Sequence, residues 1–491
     1  MKSIGHTLMV GIPGSILDDD TQSKLLQIRP SGIILFRRNI ETPIQIRALT
    51  DALRDLLGPN IIIGVDQEGG VVTRLDEGFT PTIGAMAISA TQESDNARQV
   101  AKICGTELSA VGINMNFAPT TDVNNNPNNP VIHVRAFSDK PTTVSQFASA
   151  QMKGYLESGV IPVAKHFPGH GDTNVDSHIG LARIDHDMAR LEKIELRPFQ
   201  DLINQGLPAI MVAHVHFSQL NPEPLPASLS SEVVTGLLKH KMGFGGAVLS
   251  DCLTMGAIVK WGDRAQAISK SLLAGVDIPM VSHDLTQTIL AIEQADRTHA
   301  DNRDYFDAIT RAQVQIQQLH QQLGPIPNWE QAQYLIRQRE HIRAQENMQI
   351  ATVTQLSQTP LPSVAIKDVD WLYLDDGGRI SDAEDKHNYF AWFSQQCQQL
   401  GIKLLDQESD IPSANTKLCQ GIVVSPHATT LSGKVPSNVL HVLTRIPSQL
   451  NASGANTIWA LFEESVAAQK ALWETLFFQL TPTGKCPIEL V

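Results

Sequence analysis

The sequence predicts an α/β fold, a (β/α)8 TIM-like barrel followed by a smaller α/β sandwich-type domain. Three observations predict it. Over the first 280 residues or so, short apolar runs alternate with helical patterns, and strands alternating with helices imply a parallel sheet. Eight such units suit a closed barrel. The densest polar motifs fall just after the apolar runs, which in a barrel is the C-terminal face where active sites form.

The eight candidate strands are His6–Ile12, Gly32–Phe36, Ile61–Asp66, Ile113–Ala118, Ile161–His166, Ala209–His214, Ala247–Asp251 and Val276–Val281. Helical patterns between them cover Pro43–Leu57, Asp95–Val111, Thr142–Ser158, Asp187–Gln205, Ser231–His240 and Arg264–Leu273. A polar helix, Asp301–Leu323, is broken by Gly324–Trp329, and another helix, Glu330–Ile350, follows. Ser357–Ser363 (SQTPLPS) reads as a linker or turn. Beyond it lie strand candidates Trp371–Leu374, Gly421–Val424, Val439–Leu443 and Thr457–Leu461, with helices at Asp382–Leu400 and Ser465–Phe478. The expected division is a barrel over 1–325, a helical linker over 326–362 and a C-terminal α/β domain over 363–491.

The chain has 491 residues, 42% of them apolar, so it can bury a large core without disulfides. Lys and Arg total 38 against 51 Asp and Glu, a formal charge of -13 that argues against a nucleic-acid partner. The five cysteines, Cys104, Cys252, Cys397, Cys419 and Cys486, are scattered without CxxC spacing, which fits a reducing compartment. The N-terminus lacks the apolar region and cleavage site of a signal peptide, and no apolar run approaches a membrane span. These features read as cytoplasmic, with no membrane partner.

Four motifs carry candidate chemistry. In Gly64–Leu75 (GVDQEGGVVTRL), Asp66 ends an apolar strand before a Gly pair, and Arg74 follows. Either Asp66 caps a tight turn, or it accepts hydrogen bonds from ligand hydroxyls with Arg74 reaching into the same pocket. Asn116–Phe137 is a long, Asn- and Pro-rich loop whose only cation is Arg135. Long loops inside a compact domain are usually functional. Ala164–His178 (AKHFPGHGDTNVDSH) places Lys165 and His166 at a strand end, then His170, Asp172, Asp176 and His178 in a Gly/Pro-rich loop. Asp176 and His178 stand two apart, so a carboxylate can orient an imidazole suited to proton transfer near neutrality. In Gly245–Ile258 an apolar strand delivers Asp251, a carboxylate costly to bury without a partner or a task.

Together the four motifs resemble glycoside hydrolase family 3, in its bacterial β-N-acetylglucosaminidase branch. The match runs in order from about Met9 to about Ser282: DQEGG, the Asn-rich loop ending in Arg-Ala-Phe, KHFPGHGDTxxDSH, PASLS at Pro226–Ser230 and SDxLTMGAI. The resemblance implies Asp251 as nucleophile, His178 as general acid/base and Asp176 as its dyad partner. It implies that Asp66, Arg74, Arg135, Lys165 and His166 hold the sugar. A double displacement would then retain the anomeric configuration, with no metal or organic cofactor. The implied partner is a small carbohydrate containing N-acetylglucosamine, either a muropeptide or a chitooligosaccharide, handled in cytoplasmic cell-wall recycling by a monomer or weak homo-oligomer. Cys252 stands where many relatives carry Asp, and His133 where a Gly is usual. The tail, LTPTGKCPIELV, resembles the end of the family's second domain.

Other readings compete. A β-glucosidase-type or phosphorolytic member of the family would share the nucleophile strand. A metal-dependent barrel hydrolase could use His214-Val-His216 as an HxH pair, since residues i and i+2 of a strand face the same way. A non-catalytic sugar-binding protein on this fold would have lost Asp251, Asp176 or His178, and all three are present.

Overall fold

A computed structural model describes residues 3–175, 180–356, 366, 369–375, 390–407, 411–412, 421–426, 435, 439–445, 453, 455 and 457–489. The barrel strands are β1 (Met9–Gly11), β2 (Gly32–Leu35), β3 (Ile62–Val65), β4 (Met115–Asn116), β5 (Ile161–Phe167), β6 (Ala209–Val212), β7 (Ala247–Cys252) and β8 (Ile278–Val281). Every neighbouring pair is parallel, and β1 closes the ring by pairing Met9 with Gly32 on one side and Met280 on the other. All eight strand candidates take their places in this ring.

The interior is packed, as a barrel of this size requires. Met9, Ile34, Ile62, Met115, Phe117, Ile161, Val163, Met211, Leu249, Ile278 and Met280 fill it. Ile316 and Leu319, from the helix Arg303–His320, join the same cluster. Gly64 leaves room for the Phe117 ring, which a Cβ there would meet at 2.6 Å.

β4 is shorter than its apolar run, and side chains add to its backbone bonds with the neighbouring strand. Asn114 Oδ1 accepts from Ile63 N at 2.7 Å, and its amide donates to Ile61 O at 3.0 Å. Asn116 does the same to Gln67, at 2.9 Å in each direction, and so fixes the residue after Asp66.

Helices form where expected over Pro43–Leu57, Ser94–Ala110, Pro141–Glu157, Glu232–Lys241 and Arg264–Ala274. The expected helix Asp187–Gln205 is two, Met188–Lys193 and Leu196–Ile203. Pro198 explains the break: it lacks an N–H and crowds the carbonyl four residues back, so it suits only a first turn. The expected helix Glu330–Ile350 is likewise interrupted, and Arg339–Thr352 forms its long part. Two long helices were not anticipated, Asp19–Ile28 and Leu285–Thr298, nor were the short ones Ala85–Ala90 and Gly256–Val259. The N-cap signals of the two long helices were legible: Asp18 accepts from Thr21 N at 2.8 Å and Asp284 from Gln287 N at 3.0 Å.

The second domain is a six-stranded sheet in the order β9 (Thr354–Gln355), β14 (Thr457–Ala460), β13 (Leu440–Leu443), β12 (Gly421–Ser425), β10 (Trp371–Leu374) and β11 (Lys403–Leu405). Only the β9–β14 pair is antiparallel. The strands bury both faces, with Leu372, Ile422, Val424 and Val442 on one side and Trp371 and Val423 on the other. Helices Ala391–Gln399 and Val466–Phe477 pack on the first face. The proposed turn 357–363 and residues 382–389 of the expected helix lie outside the described residues.

The two domains share a core. Ala460 and Phe462 pack with Val71, Val72, Ile83 and Met86, which follow β3. The tail returns to the barrel as well: Lys485 N donates to Ala90 O at 2.8 Å and Glu489 N to Asp139 Oδ2 at 2.7 Å. No described helix is long and apolar enough to cross a membrane.

Candidate active site

At the C-terminal mouth of the barrel, the ends of two strands and the loop after β4 build a single charged network. Lys165, in β5, is buried, yet it is surrounded by carboxylates. Its Nζ lies 2.6 Å from Asp66 Oδ1 and 2.5 Å from Glu68 Oε1, both just past β3. Glu68 also grips Arg135, which donates from Nε at 2.9 Å and from Nη2 at 2.8 Å. Burial pushes the Glu68 carboxyl up, but the Arg135 and Lys165 cations more than reverse this and hold it well below the usual carboxylate range. Two cations and two carboxylates thus balance in a largely buried site that opens at Asp66, which is tolerable only with hydrogen bonds this complete.

His166 continues the network. Its Nδ1 lies 2.7 Å from Asp122 Oδ2, and its Nε2 lies 3.3 Å from Arg135 Nη2. Burial opposes charge on Asp122, yet the His166 imidazole and then His170 lower its carboxyl, so it acts as an acceptor. Nδ1 therefore carries the proton, and Nε2 offers a lone pair. His170 also donates its backbone N–H to Asp122, at 2.7 Å. Burial and the neighbouring His166 lower His170 to about 4, which keeps its imidazole neutral.

The Asn-rich loop is a brace. Asn129 accepts from Val131 N and Ile132 N at 2.8 and 2.7 Å, and donates to His170 O at 2.8 Å. Asn126 reaches Asn174 Oδ1 at 2.6 Å. The outgoing limb of the loop after β5 is thereby fixed through Asn174. Its two limbs meet where His186 Nε2 contacts Asp172 Oδ2. The returning limb, Ala182–Ile184, pairs in parallel with Val215–Phe217. His133 takes a left-handed backbone, φ 49°, a region that glycine adopts freely.

Asp251 stands near the C-terminal end of β7, half-buried, and accepts from Cys252 N at 2.7 Å. A half-buried carboxylate there is able to attack an electrophilic carbon presented at the mouth. Cys252 Sγ sits 2.9 Å from both Ser282 Oγ and Thr254 Oγ1. Arg74 donates its backbone N–H to Gln67 Oε1 at 2.8 Å.

The structure thus brings Asp66, Arg135, Lys165 and His166 into one network. Asp251 lies two strands further round the ring and Arg74 further along the β3 turn. Asp176 and His178 lie outside the described residues. Glu68 and Asp122 were missed, although each sits inside a motif already singled out. Their signal was adjacency alone: Glu68 is two residues beyond Asp66, and Asp122 lies in the Asn-rich loop.

The HxH metal reading does not stand. His214 Nε2 donates to Cys252 O at 2.9 Å and its Nδ1 meets Ser228 Oγ at 2.7 Å, while His216 Nε2 bonds Asn221 O at 2.9 Å. Both imidazoles are committed to protein partners. Asp172, His186 and Glu195 bring one ligand atom each within 4.8 Å of the others. Arg190 donates to both Glu195 oxygens at 2.8 Å, so a guanidinium stands beside the place a cation would take.

The family model for the glycosyl hydrolase family 3 N-terminal domain matches residues 4–318. The chain belongs to glycosyl hydrolase family 3. It is a glycoside hydrolase by that membership. It is 41% identical over 270 residues to beta-hexosaminidase A of Pseudoalteromonas piscicida, covering 51% of this chain and 45% of that protein. The chain therefore spans less than half the length of that relative. It is 37% identical over 280 residues to a beta-hexosaminidase of Alkalilimnicola ehrlichii, covering 56% of this chain and 80% of that protein. Among solved structures, a family 3 β-N-acetylglucosaminidase from Paenibacillus superposes with a TM-score of 0.85 at 30% identity, covering 99% of this chain and 98% of its own. NagZ from Neisseria gonorrhoeae, in complex with N-trifluoroacetyl-D-glucosamine, gives 0.59 at 32% identity over 70% of this chain and 96% of its own. The likeness to the Paenibacillus enzyme thus runs through both domains.

Proposed function

We propose that this protein is a retaining exo-β-N-acetylglucosaminidase that removes terminal, non-reducing β-linked N-acetylglucosamine. The observation that carries the reading is the Asp66–Lys165–Glu68–Arg135–His166 network at the barrel mouth. A sugar ring offers hydroxyls that both donate and accept. The network meets them with the Asp66 carboxylate as acceptor and with Lys165 and Arg135 as donors. Because these groups already bond one another, they hold their geometry before the sugar arrives, and little ordering is left to binding. Arg74 completes the set of sugar-holding residues.

In this reading Asp251 attacks the anomeric carbon and the glycosidic bond to the leaving oxygen breaks. His178, oriented by Asp176, protonates that oxygen. His178 then takes a proton from water, which releases the sugar from Asp251 with net retention. The names of the relatives support the N-acetyl preference. Muropeptides and chitooligosaccharides are the proposed natural substrates, with cytoplasmic cell-wall recycling as the setting.

The test compares aryl β-N-acetylglucosaminide with the matching aryl β-glucoside, using wild type and Asp251→Asn. Release from the N-acetyl substrate alone, abolished by the substitution, is the expected result. Turnover of the glucoside alone overturns the specificity, and turnover by Asp251→Asn equal to wild type overturns the nucleophile.

A further inference from the structure

The C-terminal domain sends a carboxylate against the segment that follows β3. Glu463 lies in the segment between β14 and the helix Val466–Phe477, and only 1% of it is exposed. The residue before it, Phe462, has φ 60° and packs into the core that follows β3. Glu463 Oε2 accepts from Gly84 N at 2.7 Å, and Oε1 accepts from Ser465 Oγ at 2.6 Å. A Cβ on Gly84 would meet the same Oε2 at 3.0 Å, and one on Gly70 at 3.2 Å. The carboxylate is therefore seated against two glycines, one of them in the DQEGG turn. Gly70 N donates to Thr82 O at 3.0 Å, and Gln67 Nε2 donates to Thr82 Oγ1 at 3.2 Å, so Gly70 and Gln67 are both tied to the stretch of chain that leads into Gly84. Burial pushes the Glu463 carboxyl up, with Ser465 and Gly84 pulling it back. A group so costly to bury is held for its hydrogen bonds.

We propose that Glu463 is a positioning residue for the sugar pocket: it fixes the Gly70–Gly84 contact, thereby the Glu68 carboxylate, and through Glu68 the Lys165 and Arg135 cations that face Asp66 and His166. The C-terminal domain is then a working part of the sugar site. The inference rests on the reading of that network as the sugar-holding wall.

The network meets ring hydroxyls in ground and transition states alike, so its loosening raises KM more than it lowers kcat. Glu463→Ala and Glu463→Gln are to be compared with wild type on the aryl substrate that wild type turns over, well below each variant's melting temperature. Expected is a KM raised about tenfold in Glu463→Ala with kcat within about threefold of wild type. Glu463→Gln, whose amide oxygen can still accept from Gly84, restores most of the difference. Should Glu463→Ala not fold, Glu463→Gln and Ser465→Ala decide: each is expected to raise KM about threefold, and wild-type kinetics in both overturn the proposal. A folded Glu463→Ala with a lowered melting temperature and wild-type KM shows a purely structural role and also overturns it. Wild type inactive on both sugars removes the reading of the site and this inference with it.

Discussion

His214 donates from Nε2 to the carbonyl oxygen of Cys252 at 2.9 Å, across 38 residues of sequence. A carbonyl only accepts, so Nε2 carries the proton and Nδ1 receives the hydroxyl of Ser228, 2.7 Å away. Ser228 belongs to the PASLS motif. The motif thus acts on β7 through an imidazole and pins the Cys252–Leu253 peptide, one residue past Asp251. Small displacements of a reacting group cost about a hundredfold in rate. His214→Ala is expected to lower kcat by about tenfold to a hundredfold, with a smaller change in KM. Ser228→Ala should do the same more weakly. Unchanged kcat in a folded His214→Ala would show that β7 holds its own end.

Glu68 is the hinge of the charged network, and its loss leaves two buried cations poorly paired. Breaking a buried pair on one side costs about 3–5 kcal/mol. Glu68→Gln is expected to lose stability of that order in urea unfolding and to bind sugar poorly. Stability within about 1 kcal/mol of wild type would place the network's charges in water rather than in the core.

The loop that leaves β5 is tied at its neck by His186 and Asp172, both partly exposed. An exposed pair of this kind contributes little to folding, on the order of 0–1 kcal/mol. The pair joins the two described limbs that flank Asp176 and His178 in the sequence. His186→Ala is expected to lower kcat about tenfold while the melting temperature stays close to wild type. An unchanged kcat, measured on the aryl N-acetylglucosaminide, counts against the neck as a positioning device.

His441 is buried in the second domain between Ser425 Oγ at 2.7 Å and Ser453 Oγ at 2.8 Å. Burial lowers it from its ordinary 6.5 to about 4. Between those values the unfolded chain takes up a proton that the folded chain refuses. Stability from this group is therefore full above 6.5 and declines as pH falls toward 4. His441→Gln removes that dependence. The gap in melting temperature between wild type and His441→Gln should narrow from pH 7.5 to pH 4.5. A gap independent of pH would mean that the imidazole is not held neutral.

Much of this protein is legible in its sequence because the signals are local. The apolar runs at Ile61–Asp66 and Ala247–Asp251 mark strands through their own composition, and a barrel strand must deliver its last residues to the C-terminal mouth. Asp66, Lys165, His166 and Asp251 could therefore be placed toward the C-terminal ends of barrel strands before any contact was known. The break at Pro198 was also local but was overridden by the apolar period on either side. The short β4 was not legible, because Asn114 and Asn116 look like loop residues until their amides are seen to bond the backbone of Ile61, Ile63 and Gln67.

By itself, the sequence determined the barrel, the order of the motifs and the strand ends that carry candidate chemistry, because periodicity and turn residues act within a few positions along the chain. Only the tertiary structure decided the partnerships. Lys165 finds Asp66 across 99 residues, His214 finds Cys252 across 38, and Glu463 finds Gly84 across 379. Each depends on burial, since a carboxylate, an imidazole or an ammonium takes a fixed partner only when folding has removed the water that would otherwise serve. Desolvation belongs to the assembled fold, and spacing along the chain does not record it.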